Sequence, residues 1–108
     1  MKALLLTIAA AGSMLFVAQA SAADAKAAEA LAQKSGCLAC HSVEKKVLGP
    51  SYKDVAAKYK GDKTAEAKLI AKVKAGGSGV WGPIPMPANS PQVKDADIKT
   101  IVEWVLSL

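Results

Sequence analysis

The chain has 108 residues, two of them cysteine, is 52% hydrophobic and carries a formal net charge of +5. This length suits one small domain and excludes a second independent hydrophobic core. The positive charge is modest and spread along the chain, without the clustered basic stripe of nucleic-acid-binding proteins, so that class is excluded too.

The first segment is too apolar to belong to the folded domain. Lys2 is followed by an Ala/Leu-rich run over residues 3–17, and the small residues of 18–22 offer overlapping small-x-small cleavage sites. These parts are typical of a secretory signal peptide. The run also falls short of the roughly 20 apolar residues that a membrane-spanning helix needs. We therefore predict export, a cleaved signal peptide over residues 1–22, a mature domain over residues 23–108 and no membrane span after cleavage.

The mature chain opens with two predicted helices. Residues 24–35 are rich in alanine, which has the highest helix propensity, and Gly36 stands where a helix end is expected. Ser51 is placed to cap a second, short helix, with Asp54 three residues on and Gly61 closing it.

Two more helices follow. Residues 64–75 carry a narrow apolar stripe and are stopped by two glycines, while residues 95–108 place apolar side chains at i, i+3, i+4, i+7 and i+8. Lys94 is a poor candidate for the cap of the last helix. Between these helices lies a long loop, residues 76–91, which contains four of the five prolines. Because no segment alternates like a β-strand, the predicted fold class is all-α.

The most informative motif is Cys37-Leu38-Ala39-Cys40-His41. Two thiols three residues apart, followed at once by an imidazole, form the attachment signature of c-type haem. Cys37 and Cys40 would form thioethers with the haem vinyl groups. His41, the only histidine, would bind the iron as an axial ligand. A covalently held macrocycle would also stabilise a domain that has few aromatic residues for its core.

Met86 is the candidate for the second axial ligand. The chain has two other methionines, Met1 and Met14, and both lie in the predicted signal peptide. Met86 sits in the proline-rich stretch 83–87, where the prolines restrict the backbone on both sides of it. One histidine and one methionine match the axial pair of electron-transfer cytochromes c. The alternative is that Met86 only fills a gap in the core.

Three other uses of the cysteine pair fit the sequence less well. A thioredoxin-like dithiol needs a βαβ setting, and no strand is predicted. A structural zinc site needs four protein ligands, whereas Cys37, Cys40 and His41 supply three. A disulfide is compatible with an oxidising compartment but leaves His41 and Met86 unexplained.

Taken together, four stretches carry a family resemblance. They are Gly36-Cys37-Leu38-Ala39-Cys40-His41, Gly49-Pro50-Ser51-Tyr52-Lys53-Asp54-Val55-Ala56, Gly79-Val80-Trp81-Gly82-Pro83-Ile84-Pro85-Met86-Pro87-Ala88-Asn89 and Trp104-Val105-Leu106-Ser107. The chain resembles the bacterial class I cytochromes c of the c-551/c-552 type. The resemblance implies four to five short helices wrapped around one covalently bound haem c.

The resemblance also implies roles for residues around the haem. The carbonyl of Pro50 would accept the Nδ1 proton of His41, and Asn89 would hydrogen-bond near the Met86 sulfur. Trp81 would donate its indole N–H to a haem propionate, and Trp104 would pack between the terminal helices. Lys72 would stand where relatives often have an arginine facing a propionate, since this chain contains no arginine.

These features predict a soluble periplasmic one-electron carrier and not an enzyme, because an iron with both axial positions filled has no open site for a substrate. We expect a monomer with transient redox partners: a donor such as a quinol-oxidising complex and an acceptor such as a nitrite reductase or a terminal oxidase. Small apolar residues near the haem edge, Val80, Ile84 and Ala88, would form the docking patch. The alternative is a haem gas sensor or peroxidase-like enzyme with a displaceable sixth ligand.

Overall fold

The computed structural model describes residues 22–108, so the predicted signal peptide, apart from its last residue, lies outside the described residues. The described part of the chain contains four α-helices and one 3₁₀ turn and no β-strand. They are α1 (Ala22–Lys34), the 3₁₀ turn (Cys37–Ala39), α2 (Tyr52–Lys58), α3 (Ala65–Ala75) and α4 (Asp95–Leu106). The all-α prediction is confirmed, and each predicted helix is found within a few residues of its expected bounds.

Helix α2 begins at a buried cap. Ser51 is 2% exposed, and its Oγ accepts a hydrogen bond of 3.1 Å from the backbone N–H of Asp54. Two backbone hydrogen bonds then tie the start of α2 to the segment that follows His41: Tyr52 donates to the carbonyl of Ser42 and Lys53 to that of Val43. The cap therefore fixes α2 beside the cysteine-histidine motif.

Helix α4 is the centre of the packing and contacts each of the other three helices. Its buried side chains are Ile98, Ile101, Val102, Trp104 and Val105. Leu106, the last member of the predicted apolar stripe, is half-buried. The small, fully buried Ala28 and Ala32 of α1 let that helix approach closely. Trp104 thus packs between the terminal helices, as expected. Lys94 makes no side-chain cap at the start of α4, also as expected.

In residues 22–108 no helix combines the length and the apolar character that crossing a membrane would require.

The Ser51 cap gives a first testable prediction. Ser51→Ala removes the acceptor for the Asp54 N–H, so the free energy of unfolding should fall by about 1 kcal/mol. Denaturant titration of the haem-loaded protein measures this change. Thr64→Ala is the matched control and should cost less, because the Thr64 hydroxyl makes no cap bond to α3 and only donates to the exposed carboxylate of Asp62. Equal losses for the two variants would contradict the capping role of Ser51.

Candidate haem site

The 3₁₀ turn brings the thiols and the imidazole of the motif to one place. The backbone N–H groups of Cys40 and His41 both donate to the carbonyl of Cys37, at 3.2 and 3.0 Å, so the chain folds tightly between the two cysteines. Both thiols are free. Cys37, Cys40 and His41 all line the same cleft. The segment therefore presents its thiols and its imidazole together, as thioether formation and iron binding require.

The His41 ring is held in one tautomer. Its Nδ1 lies 2.8 Å from the carbonyl oxygen of Pro50. A carbonyl only accepts, so Nδ1 carries the proton and Nε2 keeps the lone pair that a metal binds. A hydrogen bond of this kind also raises the basicity of the ligand. The Pro50 position follows from the loop that leads into α2, in which Gly49 donates its N–H to the Cys40 carbonyl at 2.8 Å.

Position 49 requires glycine because the backbone there lies close to the His41 imidazole. A Cβ at this position would lie 2.8 Å from Nδ1 and 3.0 Å from Nε2 of His41, well inside van der Waals contact. The backbone here passes directly over the ring, so any side chain would push the imidazole or the loop aside.

Tyr52 is a site residue for which sequence reasoning assigned no role. Its ring stacks on that of His41, with centroids 5.0 Å apart and planes inclined by 21°, and meets Trp104 edge-on at 5.6 Å. The sequence signal that could have indicated this role is the position of Tyr52, directly after the Ser51 cap and two residues beyond Pro50. Tyr52 is 6% exposed and connects the imidazole to the core built on α4.

The Tyr52 hydroxyl also meets the first cysteine. Burial raises the pKa of Tyr52 above its ordinary value, and so does a hydrogen bond between its hydroxyl and the Cys37 sulfur. Burial likewise raises the pKa of the Cys37 thiol, against the opposing effect of that hydrogen bond. Tyr52 therefore touches both the imidazole and one of the two thiols.

Met86 is held on the other side of the cleft by the end of α3. Its backbone forms two hydrogen bonds of 2.9 Å with Gly77, one in each direction. The last carbonyls of α3 are also taken up by the loop: Gly76 donates to Lys72, Asn89 to Val73 and Ser90 to Lys74. These are the groups that a helix end leaves without partners inside the helix. The loop that carries Met86 therefore doubles as the cap of α3.

The other predicted residues lie around Met86. The Asn89 side-chain amide donates to the carbonyls of Val73 and Pro87, both at 3.3 Å, which fixes the loop; its bond to the Met86 sulfur stays a prediction. Lys72 lines the cleft beside Gly77, where an added Cβ would lie 2.9 Å from Nζ. Trp81 lines the cleft and is 41% exposed. The propionate roles of Lys72 and Trp81 stay predictions.

The cleft between these groups has a volume of about 210 Å³. Its walls are mostly apolar, with side chains from α2, α3 and α4 such as Val55, Leu69 and Ile101. Among the described residues that line it, Lys72 alone is charged. A larger depression of about 530 Å³, lined by parts of α2 and the end of α4, shares no residue with it. The two cysteines, His41 and Met86 therefore line one apolar cleft.

Residues 25–108 match the family model of cytochrome c. The chain belongs to the cytochrome c family. It is 57% identical to cytochrome c-551 of Allochromatium vinosum over 95 residues, which are 88% of this chain and 100% of that protein. The crystal structure of cytochrome c552 of Nitrosomonas europaea superposes with a TM-score of 0.70 at 52% identity, covering 74% of this chain and 98% of that one.

A class 1 cytochrome of Sideroxydans lithotrophicus, MtoD, also matches, with a TM-score of 0.66 and 38% identity over 78% of this chain and 95% of that one. This cytochrome c is thus of class I and of the c-551/c-552 type. Membership implies electron transport with one covalently bound haem c. The residues present fit that cofactor: two free thiols, an imidazole with Nε2 available and a thioether all line one apolar cleft.

Gly49→Ala tests how tightly the imidazole is held. The added methyl group must displace either the His41 ring or the loop, so the free energy of unfolding should fall by about 1–3 kcal/mol. The His41 Nδ1–H signal of the reduced protein should also shift or broaden in the proton NMR spectrum. Val47→Ala, at a nearby exposed position that does not line the cleft, is the control. An unchanged His41 signal in Gly49→Ala would show that the backbone does not restrain the ring.

Proposed function

We propose that this cytochrome c is a periplasmic one-electron carrier whose haem iron is held between His41 and Met86. The observation that carries the proposal is that the His41 and Met86 side chains line the same cleft as the two attachment cysteines. When bound, haem c supplies an iron that accepts and returns one electron.

Each ligand has a distinct support. The Pro50 carbonyl fixes the His41 tautomer, which leaves Nε2 as the ligand atom. Met86 is a neutral, weak ligand that competes with water, and its paired backbone hydrogen bonds to Gly77 reduce the entropy lost in holding it. A thioether ligand in an apolar pocket favours the reduced iron and raises the reduction potential. This combination suits outer-sphere electron transfer and not catalysis at an open metal site.

The location follows from the predicted signal peptide. A basic start, an apolar run and small residues at 18–22 favour export through the inner membrane with cleavage near residue 22. The mature domain, residues 23–108, would then act as a soluble monomer. We propose a quinol-oxidising complex as the class of donor and a nitrite reductase or a terminal oxidase as the class of acceptor, by analogy with the family.

An exposed apolar rim is the proposed contact surface for these partners. We use this name for Val47, Leu48, Val80 and Ile84, whose side chains are 50–57% exposed. All but Val47 also line the cleft. Lys45 and Lys46, both exposed, directly precede Val47. An apolar contact with nearby positive charge suits a small, transient interface, in which charge changes the association rate more than the affinity.

Met86→Ala tests the axial pair. The oxidised protein should lose the weak far-red absorption band that a sulfur-to-iron bond produces. The reduction potential should fall by a fraction of the roughly 0.8 V over which axial ligands tune haem proteins. Ile84→Ala, two residues away and exposed, is the control and should keep the band. Survival of the band in Met86→Ala would reject Met86 as the ligand.

The rate of carbon monoxide binding distinguishes an electron carrier from the alternative, a gas sensor or peroxidase-like enzyme. The reduced parent protein should bind carbon monoxide slowly or not at all at neutral pH, whereas Met86→Ala should bind it rapidly. Stopped-flow spectroscopy measures both rates. Rapid binding by the parent protein would favour the alternative, since it would mean that the sixth ligand is easily displaced.

Ile84→Asp tests the apolar rim. An added charge at the contact surface should slow electron transfer with a cognate partner roughly tenfold, equivalent to about 1.4 kcal/mol. Leu108→Asp, which changes an exposed apolar side chain that does not line the cleft, should leave the rate unchanged.

Transfer rates measured at several ionic strengths should fall as salt rises. A rate independent of salt would exclude a role for the lysines.

A further inference from the structure

The ammonium group of Lys58 lies near two aromatic rings. Its Nζ lies 6.0 Å from the ring centroid of Tyr59 and 5.5 Å from that of Trp81. Both distances fall within the range of attraction between a cation and the face of an aromatic ring. Of the ion pairs between described residues, none includes Lys58. The contact with Trp81 joins the last turn of α2 to the loop that carries Met86.

Trp81 has few restraints of its own. It is 41% exposed although it lines the haem cleft, and its backbone lies in a turn closed by a hydrogen bond from the N–H of Gly79 to the carbonyl of Gly82. Both glycines have φ near +110°, a region that other residues rarely adopt. The turn holds the backbone on either side of Trp81, and the ring contact that the structure shows for its indole is the one with Lys58.

We propose that Lys58 is a positioning residue for Trp81, holding the indole at the rim of the haem cleft. The lysine stem extends from the rigid end of α2, and the ammonium lies over the indole while the ring remains part of the cleft wall. Lys58 itself does not line the cleft, so it acts through Trp81. This inference goes beyond the proposed function and holds whichever ligand completes the iron coordination.

Hydrogen exchange of the two indole N–H groups in the reduced, haem-loaded protein tests the proposal, because an indole held at the cleft keeps its N–H on the acceptor predicted for it, a haem propionate. Trp81→Phe assigns the signals in the ¹⁵N–¹H spectrum. Lys58→Met keeps the length of the side chain and removes its charge, and the indole N–H of Trp81 should then exchange ~2- to 5-fold faster. Trp104, which is buried in the core, should exchange at its parental rate, since it reports on opening of the whole domain.

Two further variants complete the comparison. Lys58→Arg keeps a cation over the ring and should restore the parental rate for Trp81. Lys60→Met removes a nearby exposed charge that lies in neither aromatic contact, and it should change neither indole. The proposal is overturned if Lys58→Met leaves Trp81 unchanged, if it accelerates both indoles equally, or if Lys58→Arg behaves like Lys58→Met. It is also overturned if the Trp81 indole of the parent protein shows no protection.

Discussion

The hydrogen bond from His41 Nδ1 to the Pro50 carbonyl is the contact on which the rest of the site depends. It sets which ring nitrogen faces the cleft, and it exists because the 3₁₀ turn of the cysteines and the cap of α2 lie side by side. Gly49 lets the backbone pass close enough, and Tyr52 covers one face of the ring. A site that looks like one short motif in the sequence is built from three consecutive local structures, from Cys37 to Tyr52.

The Met86 side of the cleft is held by a different kind of contact. There the supports are main-chain hydrogen bonds, two to Gly77 and others that satisfy the last carbonyls of α3. An ion pair of 2.9 Å between Lys74 and Asp95 joins the end of α3 to the start of α4 across the same loop. Because both side chains of this pair are partly exposed, it adds little stability. The prolines restrict the loop, and the helix end determines where it lies.

The sequence predicts most of this arrangement because its strongest signals are local. The alanine-rich α1, the Ser51 cap and the apolar stripe of α4 each indicate a helix from a few neighbouring residues, and the cysteine-histidine motif indicates the cofactor. The contacts that were missed join residues distant in the chain. Tyr52 meets Trp104 from 52 positions away, and Lys58 meets Trp81 from another element. No periodicity encodes such pairs, since they depend on how α2 packs against α4 and the loop.

The two sides of the cleft therefore differ in how easily they open. His41 is stacked on Tyr52, which contacts Trp104 in the buried core, so the position of the imidazole is coupled to the packing of α4. Met86 is carried by a mostly exposed loop that is held by hydrogen bonds to the end of α3 and by the contact of Trp81 with Lys58, and such segments open locally at a fraction of the global free energy. With the proposed axial pair, Met86 should detach from the iron first under rising denaturant and His41 last. The protein would then pass through a form in which the cofactor is still covalently attached and one axial position is open to solvent.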